Sequence, residues 1–116
     1  MGKIKLDQME FRAFHGVYEE ERKQGNRFTV DLEVDYPFEE DALRDDLGYT
    51  LDYQSLYAIT KKIMDVPSNL LEHLSMRIAE DVKNAFPQVN SVTVSVAKYN
   101  PPIGGECKSA SVTVTI

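Results

Sequence analysis

The chain has 116 residues, of which 42% are hydrophobic and 28% are charged, and this composition is typical of one globular domain spanning residues 1–116. Acidic residues outnumber basic ones by 19 to 13, and a net charge of −6 is the wrong sign for binding nucleic acid or an anionic membrane surface. No apolar stretch is long enough to span a membrane and no signal-peptide pattern begins the chain, so we expect a cytoplasmic protein. One cysteine and two histidines are too few for an internal disulfide or a zinc site built from His and Cys.

The first half of the chain predicts two strands. Apolar residues change parity partway along the first one: Ile4 and Leu6 precede the change, and Met9, Phe11 and Ala13 follow it. A bulge near Asp7–Gln8 would explain the change. After the charged, turn-rich stretch 15–25, apolar residues at every second position from 28 to 36 predict a strand with one polar face. The acidic stretch 39–48 is interpreted as a connection with room for a short helical turn.

The second half predicts two helices and then two strands. Asp52 is a plausible N-cap for a first helix, whose apolar positions are Tyr53, Leu56, Ile59 or Thr60, and Ile63. A longer helix ends before Pro87, and its apolar positions are Leu71, Leu74, Ile78, Val82 and Ala85. Alternation then predicts strands over 91–98 and 109–116, separated by a loop rich in proline and glycine. The element order is ββααββ, an α+β fold.

Each predicted strand has one apolar face and one face of Ser, Thr and acidic residues. This pattern suits an antiparallel four-stranded sheet with the two helices packed on one face. Four strands leave two unpaired edges, which favour pairing with another copy of the chain. We therefore expect a homo-oligomer.

Lys98 has the same parity as Val92, Val94 and Val96, so a regular strand directs it toward the next buried position. A partly desolvated amine gives up its proton more easily, which makes it a useful acid or base. The pattern leaves open the alternative of a strand-end lysine that extends to water. The segment that follows, Tyr99–Gly104, is turn-prone and would connect two strands.

Three further places invite a functional interpretation. Glu72 lies in the first turn of the longer helix, where a carboxylate complements the helix dipole; it could also accept paired hydrogen bonds from the amidine-like edge of a pterin or guanine ring. Tyr53 begins the other helix and would face either the core rim or a pocket. The stretch His15–Glu21 forms a shaped loop in which Gly16 permits unusual backbone geometry, whereas Glu19–Glu21 alone are typical of a solvated acidic face.

Together these residues resemble the dihydroneopterin aldolase family of the folate pathway. The resemblance rests on segments that occur in the family's order and spacing across nearly the whole chain: residues 14–17 with Glu21, 45–46, 50–53, 69–73 and 98–103. It implies the tunnelling fold, or T-fold, in which four subunits join their sheets into a barrel and two rings commonly stack into an octamer. It also implies active sites between adjacent subunits.

The resemblance further implies a retro-aldol cleavage of 7,8-dihydroneopterin into 6-hydroxymethyl-7,8-dihydropterin and glycolaldehyde. The C=N bond of the dihydropterin ring accepts the electrons released when the C–C bond breaks, so neither a metal nor another cofactor is implied. By the same resemblance, Lys98 is the principal acid–base group, and Tyr53 from a neighbouring subunit moves a proton with water. Glu21 binds and orients this proton network near the departing side chain. Glu72 would anchor the pterin ring.

The implied ring contacts also include the backbones of Leu71 and Leu51 and the side chain of Tyr18. A related alternative is an epimerase of the same fold, acting on dihydroneopterin or its triphosphate and inverting the 2′ carbon; one protein can have both activities. A third is a non-catalytic pterin-binding oligomer, which would not require Lys98 and Tyr53 together. The zinc-using enzymes of this fold are disfavoured, because only His15, His73 and Cys107 could supply nitrogen or sulfur ligands.

Overall fold

The chain forms a four-stranded antiparallel sheet that two long helices cover on one face, and the computed structural model describes residues 2–116. The strands are β1 (Gly2–Ala13), β2 (Asn26–Tyr36), β3 (Ser91–Tyr99) and β4 (Ser109–Thr115). The α-helices are α1 (Glu19–Gln24), α2 (Tyr53–Met64) and α3 (Leu71–Ala85), and two 3-10 turns occupy Ala42–Arg44 and Leu47–Tyr49. The sheet order is β1-β2-β3-β4, which confirms the predicted α+β architecture and leaves β1 and β4 at its edges.

A bulge in β1 keeps the apolar side chains of this long strand on one face. Leu6 pairs with Leu32 and Met9 pairs with Val30, so that two residues of β1 lie opposite Asp31 alone. Gln8 has a positive φ of 56°, and its backbone N–H donates to Asp31 Oδ1 at 2.8 Å. The bulge predicted near Asp7–Gln8 is therefore confirmed, and its physical cause is the need to bury residues on both sides of it.

The core lies between the apolar face of the sheet and the two long helices. Helix α2 packs against β1 and α3, while α3 packs against β3 and β4. Fully buried side chains from both layers form this core, including Phe28, Leu32, Val94, Leu56, Leu74 and Ile78. Asp52 caps α2 by accepting a hydrogen bond from the Gln54 backbone N–H at 2.9 Å, as its position predicts.

Helix α1 was not predicted, because its six residues carry no apolar periodicity and none of them is fully buried. Its first turn contains Glu19, Glu20 and Glu21 and its last turn Arg22 and Lys23, a distribution that complements the helix dipole. The two 3-10 turns agree with the short helical turn expected in the acidic connection. Because α1 lacks a buried face, contacts outside the helix must hold it in place.

Candidate active site

Lys98 lies near the end of β3 on the face that the helices cover. It pairs in register with Phe28 of β2 and Ala110 of β4, and it continues the buried series Val92, Val94 and Val96. Its side chain is only 14% exposed, and Nζ lies 2.7 Å from Glu21 Oε2. The structure thus favours the inward orientation of Lys98 over the alternative of a lysine that extends to water.

Glu21 reaches Lys98 from α1 and is the least exposed of the three consecutive glutamates. Its side chain is 14% exposed, whereas Glu19 and Glu20 lie at the surface. The second carboxylate oxygen, Oε1, accepts a hydrogen bond from the Tyr18 backbone N–H at 3.4 Å. The interpretation of Glu19–Glu21 as a solvated acidic face is therefore wrong for Glu21, because α1 turns this one side chain toward Lys98. One carboxylate connects the start of α1 to the end of β3.

Gly16 leaves the space that Glu21 occupies. A Cβ atom at Gly16 would lie 2.5 Å from Glu21 Cβ and 2.6 Å from its Cδ, both far inside normal contact distance. The backbone N–H of Gly16 donates to the Ser68 carbonyl at 2.9 Å, which fixes the loop beside the turn between α2 and α3. Glycine is needed here for close approach to the Glu21 side chain.

His15 is buried beneath this loop, with 1% of its surface exposed. Its Nδ1 accepts a hydrogen bond from the Ser68 backbone N–H at 3.0 Å, and its ring meets Phe28 edge-on with centroids 5.0 Å apart. Burial lowers the pKa of His15 below its ordinary value of 6.5, the Met64 backbone opposes this shift, and the charge of Lys98 adds to it. The imidazole is therefore neutral at pH 7, with Nδ1 free to accept.

The sequence pattern predicts only that His15 lies in the loop His15–Glu21 and in the family segment 14–17. The signal that could have singled it out is its parity, because His15 continues the buried series of Met9, Phe11 and Ala13 one step beyond β1. A histidine on the apolar parity of a strand needs a hydrogen-bond partner in the core. Here that partner is a backbone N–H of the turn that leads to α3.

Arg22 makes a second connection between the same two segments. Its Nη1 donates to the carbonyls of Gly16 and Val17, each at 3.1 Å, and to Asn69 Oδ1 at 3.3 Å. One guanidinium nitrogen therefore contacts both the loop before α1 and the turn before α3. We call residues 15–18 the glycine loop and residues 67–70 the α3 turn. Two hydrogen bonds join these segments directly, one accepted by His15 and one donated by Gly16, and Arg22 of α1 contacts both of them.

The start of α3 carries Leu71 and Glu72. Leu70 occupies the N-cap position and provides no side-chain cap, so the first-turn backbone N–H groups of α3 have no capping side chain. Glu72 lies in this first turn with its side chain exposed, and Leu71 is half-buried. First-turn N–H groups without a capping side chain, beside a carboxylate, form a donor and acceptor set that suits a heterocycle with complementary edges.

The remaining predicted site residues do not meet Lys98 within one chain. Tyr53 begins α2 and is 59% exposed, Tyr18 is 63% exposed, and Leu51 is buried just before α2. Within residues 2–116, neither Tyr53 nor Glu72 forms a hydrogen bond or ion pair with Lys98 or Glu21. A single chain thus brings together Lys98, Glu21 and the Tyr18 backbone, and leaves the side chains of Tyr53, Tyr18 and Glu72 at the surface.

Metal-ligating side chains do not cluster in the described part of the chain. Within residues 2–116 no group of three or more His, Cys, Asp and Glu side chains is arranged to hold a metal ion. None of the helices in that range is long and apolar enough to cross a membrane.

Comparison with known proteins identifies the family of this chain. The family model of the FolB dihydroneopterin aldolases matches residues 4–115. A dihydroneopterin aldolase of Bacillus subtilis is 40% identical over 116 residues, which cover 99% of this chain and 97% of that relative. The crystal structure of E. coli dihydroneopterin aldolase in complex with neopterin has a TM-score of 0.90 at 19% identity, covering 100% of this chain and 99% of that one.

A dihydroneopterin aldolase from Burkholderia thailendensis, solved with bound guanine, superposes with a TM-score of 0.73 at 20% identity and covers 99% of this chain and 89% of that one. These structural likenesses establish that the chain has the fold of a dihydroneopterin aldolase subunit, and the family-model match and the identity to the B. subtilis relative establish the family. The chain therefore belongs to the dihydroneopterin aldolase family, the lyases of folate biosynthesis.

Proposed function

We propose that this protein cleaves 7,8-dihydroneopterin into 6-hydroxymethyl-7,8-dihydropterin and glycolaldehyde, with Lys98 and Glu21 at the reacting end of the substrate and Glu72 at the pterin ring. The observation that carries this proposal is the largely buried pair of Lys98 Nζ and Glu21 Oε2, 2.7 Å apart. An amine and a carboxylate held in contact away from bulk water can donate and accept protons at defined positions. The family assignment supports retro-aldol cleavage as the reaction of this acid–base pair.

The chemistry requires proton transfer at a small number of atoms. A base takes the proton of the 2′-hydroxyl group, the C1′–C2′ bond breaks to release glycolaldehyde, and the electron pair moves through C6 to ring nitrogen N5. Lys98 donates a proton to N5 in this step, which gives a neutral enol at C1′. Protonation of C1′ and return of the N5 proton to Lys98 then yield the hydroxymethyl product. The ring is the electron sink, so the protein has to supply only acids, bases and orientation.

Glu21 and Tyr53 act at the side chain of the substrate. Substrate displaces Glu21 Oε2 from part of its contact with Lys98, and the carboxylate then accepts hydrogen bonds from the side-chain hydroxyl groups. Tyr53, together with water, takes the 2′-hydroxyl proton and returns a proton to C1′. Because a buried carboxylate that loses its partner is costly, Glu21 and Lys98 each hold the other in position until substrate arrives.

Glu72 anchors the other end of the substrate. Its carboxylate accepts two parallel hydrogen bonds from the 2-amino group and the adjacent ring N–H, and the backbone of Leu71 supplies a further donor. The backbone of Leu51 and the ring of Tyr18 complete the contacts to the pterin. The neopterin and guanine in the two related crystal structures share this amino–imino edge, which supports a carboxylate anchor here.

A second copy of the chain completes each site. Tyr53, Tyr18 and Val17 expose 59%, 63% and 58% of their surfaces, large values for side chains with so much apolar surface. Strands β1 and β4 are the open edges of the sheet, and pairing β1 of one copy with β4 of the next would extend it. We propose that four copies close a barrel in this way, that two such rings stack into an octamer, and that Tyr53 and Leu51 reach the Lys98 of a neighbour.

The test is to incubate the purified protein with 7,8-dihydroneopterin and to measure glycolaldehyde, hydroxymethyldihydropterin and monapterin. We expect cleavage by the wild type and loss of most turnover in Lys98→Met, which keeps the length of the side chain without its amine. Lys108→Met, an exposed lysine just before β4, is the matched control and should keep wild-type kcat.

The products distinguish the competing functions. Monapterin without glycolaldehyde would assign the epimerase reaction instead, because inversion at the 2′ carbon requires the aldol step in both directions. Pterin binding without any turnover would assign a binding protein. Wild-type kcat in Lys98→Met would contradict the role of Lys98.

A further inference from the structure

The glycine loop and the α3 turn hold the two halves of the proposed site relative to each other. The glycine loop leads directly into α1, which carries Glu21, and the α3 turn leads directly into Leu71 and Glu72. Three hydrogen bonds join the α3 turn to the glycine loop and to Arg22 of α1: Ser68 N–H to His15 Nδ1, Gly16 N–H to the Ser68 carbonyl, and Arg22 Nη1 to Asn69 Oδ1. Only the first and last depend on side chains.

We propose that His15 is a positioning residue, whose Nδ1 acceptor sets the distance between the Lys98–Glu21 pair and the start of α3; this inference rests on the proposed function. Its ring is fixed on one side by the edge-on contact with Phe28, the residue that pairs with Lys98 across the sheet. On the other side Nδ1 holds the Ser68 backbone. His15 therefore connects Phe28, the strand neighbour of Lys98, to the turn before Glu72, although it forms no hydrogen bond with Lys98 or Glu72.

The two segments do not depend equally on this link. Helix α3 is anchored by its own buried side chains, among them Leu74 and Ile78, whereas α1 has none. When the Nδ1 acceptor is lost, the glycine loop and α1 move and α3 stays. The expected consequence is a displaced Glu21 beside an intact Glu72, so that kcat falls while KM for the pterin changes little.

His15→Asn and His15→Phe separate the acceptor from the ring. Asparagine places Oδ1 at the same bonded distance from Cβ as Nδ1 and keeps the acceptor, while phenylalanine keeps the ring against Phe28 and removes the acceptor. We expect His15→Phe to lose kcat by about tenfold or more and His15→Asn to stay within about threefold of the wild type, with KM nearly unchanged in both. Turnover is expressed per folded protein, measured by thermal unfolding and size-exclusion chromatography.

Arg22→Met and Lys23→Met provide a second, independent comparison on one helix. Both remove one positive charge from α1, but only Arg22 reaches the α3 turn, whereas Lys23 pairs with Glu19 on the surface. Arg22→Met is expected to lower kcat severalfold and Lys23→Met to leave it unchanged. If His15→Phe does not fold, this comparison still tests whether the connection to the α3 turn positions Glu21.

The possible results distinguish failure of the positioning role of His15 from failure of the proposed function. Absence of cleavage by the wild type would overturn both. Cleavage by the wild type, with equal kcat per folded protein in His15→Asn and His15→Phe, or with the phenylalanine variant the more active, would overturn the positioning role alone. Equal kcat in Arg22→Met and Lys23→Met would overturn the link between the glycine loop and the α3 turn.

Discussion

Gly16 determines where the Glu21 side chain can lie. The Glu21 side chain fills the space that a Cβ at position 16 would need, with Oε1 2.7 Å from that point. Gly16→Ala must push Glu21 away from Lys98, and we expect a loss of kcat of about tenfold or more, with a destabilisation of about 1–3 kcal/mol from overpacking. Steady-state kinetics and urea unfolding of the same preparation measure the two effects.

The matched control for this change is Gly105→Ala. No heavy atom lies within 4 Å of a Cβ built at Gly105, so that variant should keep both the activity and the stability of the wild type. Unchanged kcat in Gly16→Ala would contradict the requirement for close approach between the glycine loop and Glu21.

His15 also predicts how stability depends on pH. Its pKa is lowered in the folded state, so the unfolded chain binds the proton more tightly and acid favours unfolding. The contribution of neutral His15 is fully present above its ordinary pKa of 6.5 and is lost as pH falls from that value toward the folded-state pKa. We expect the free energy of unfolding, measured in urea between about pH 8 and pH 5, to decrease on this account below about pH 6.5.

The variant His15→Asn removes this titrating group and should show a weaker decrease over the same range. His73→Asn is the control, because His73 is exposed on α3. An equal loss of the pH dependence in both variants would contradict its assignment to His15.

Individual residues differ in how far the sequence alone could place them. Lys98 follows from alternation along one strand, a local property that survives in the folded chain. Glu21 depends on a contact 77 positions away, and its neighbours Glu19 and Glu20 have the same chemistry, so the pattern could not single it out. The family resemblance named Glu21, and its contact with Lys98 agrees with that assignment while its catalytic role stays a prediction.

The bulge in β1 has a sequence signal, because a strand that changes its apolar parity needs an extra residue to keep one face buried. Helix α1 gave no such signal, since a short helix held by hydrogen bonds rather than by a buried face has no hydrophobic period to detect. Long amphipathic elements were therefore predictable here. The segment that carries Glu21 was not.

Asp31 stabilises the bulge by accepting from the Gln8 backbone N–H at 2.8 Å. We expect Asp31→Ala to lower the free energy of unfolding by about 1–2 kcal/mol, because a charged acceptor is lost from a backbone donor with no ladder partner. Glu33→Ala is the control on the same strand, where Glu33 makes only ion pairs with the exposed Lys3 and Lys5 at 3.6 and 3.3 Å.

Such surface ion pairs contribute about 0–1 kcal/mol, so Glu33→Ala should cost less than Asp31→Ala in urea unfolding. Equal costs for the two variants would mean that the hydrogen bond to Gln8 adds nothing beyond an ordinary surface charge. A change in the urea m-value of Asp31→Ala alone would instead indicate a change in the surface exposed on unfolding, so that the two midpoints could not be compared directly.

At the scale of the whole molecule, the proposed function requires more than one chain. Lys98 and Glu21 meet within one chain, whereas Tyr53 lies exposed at the start of α2 without contact to either. The sequence implies this division of the site only through resemblance, since the strand pattern predicts open sheet edges but not which side chains reach the site of another copy. A site shared between two chains can be tested by mixing two variants, which single variants alone cannot do.

Two inactive variants should restore activity to each other when their defects lie in different halves of a shared site. We expect Lys98→Met and Tyr53→Phe, each depleted in turnover, to regain about a quarter of the wild-type activity when equimolar amounts are unfolded and reassembled together, because random assembly joins an intact Lys98 to an intact Tyr53 in that fraction of sites. The control is Lys98→Met mixed with Glu21→Gln. Since Lys98 and Glu21 share one chain, every site in that mixture retains one defect and no activity should return. Equal recovery in both mixtures, or none in either, would contradict a site in which Tyr53 comes from a neighbouring copy.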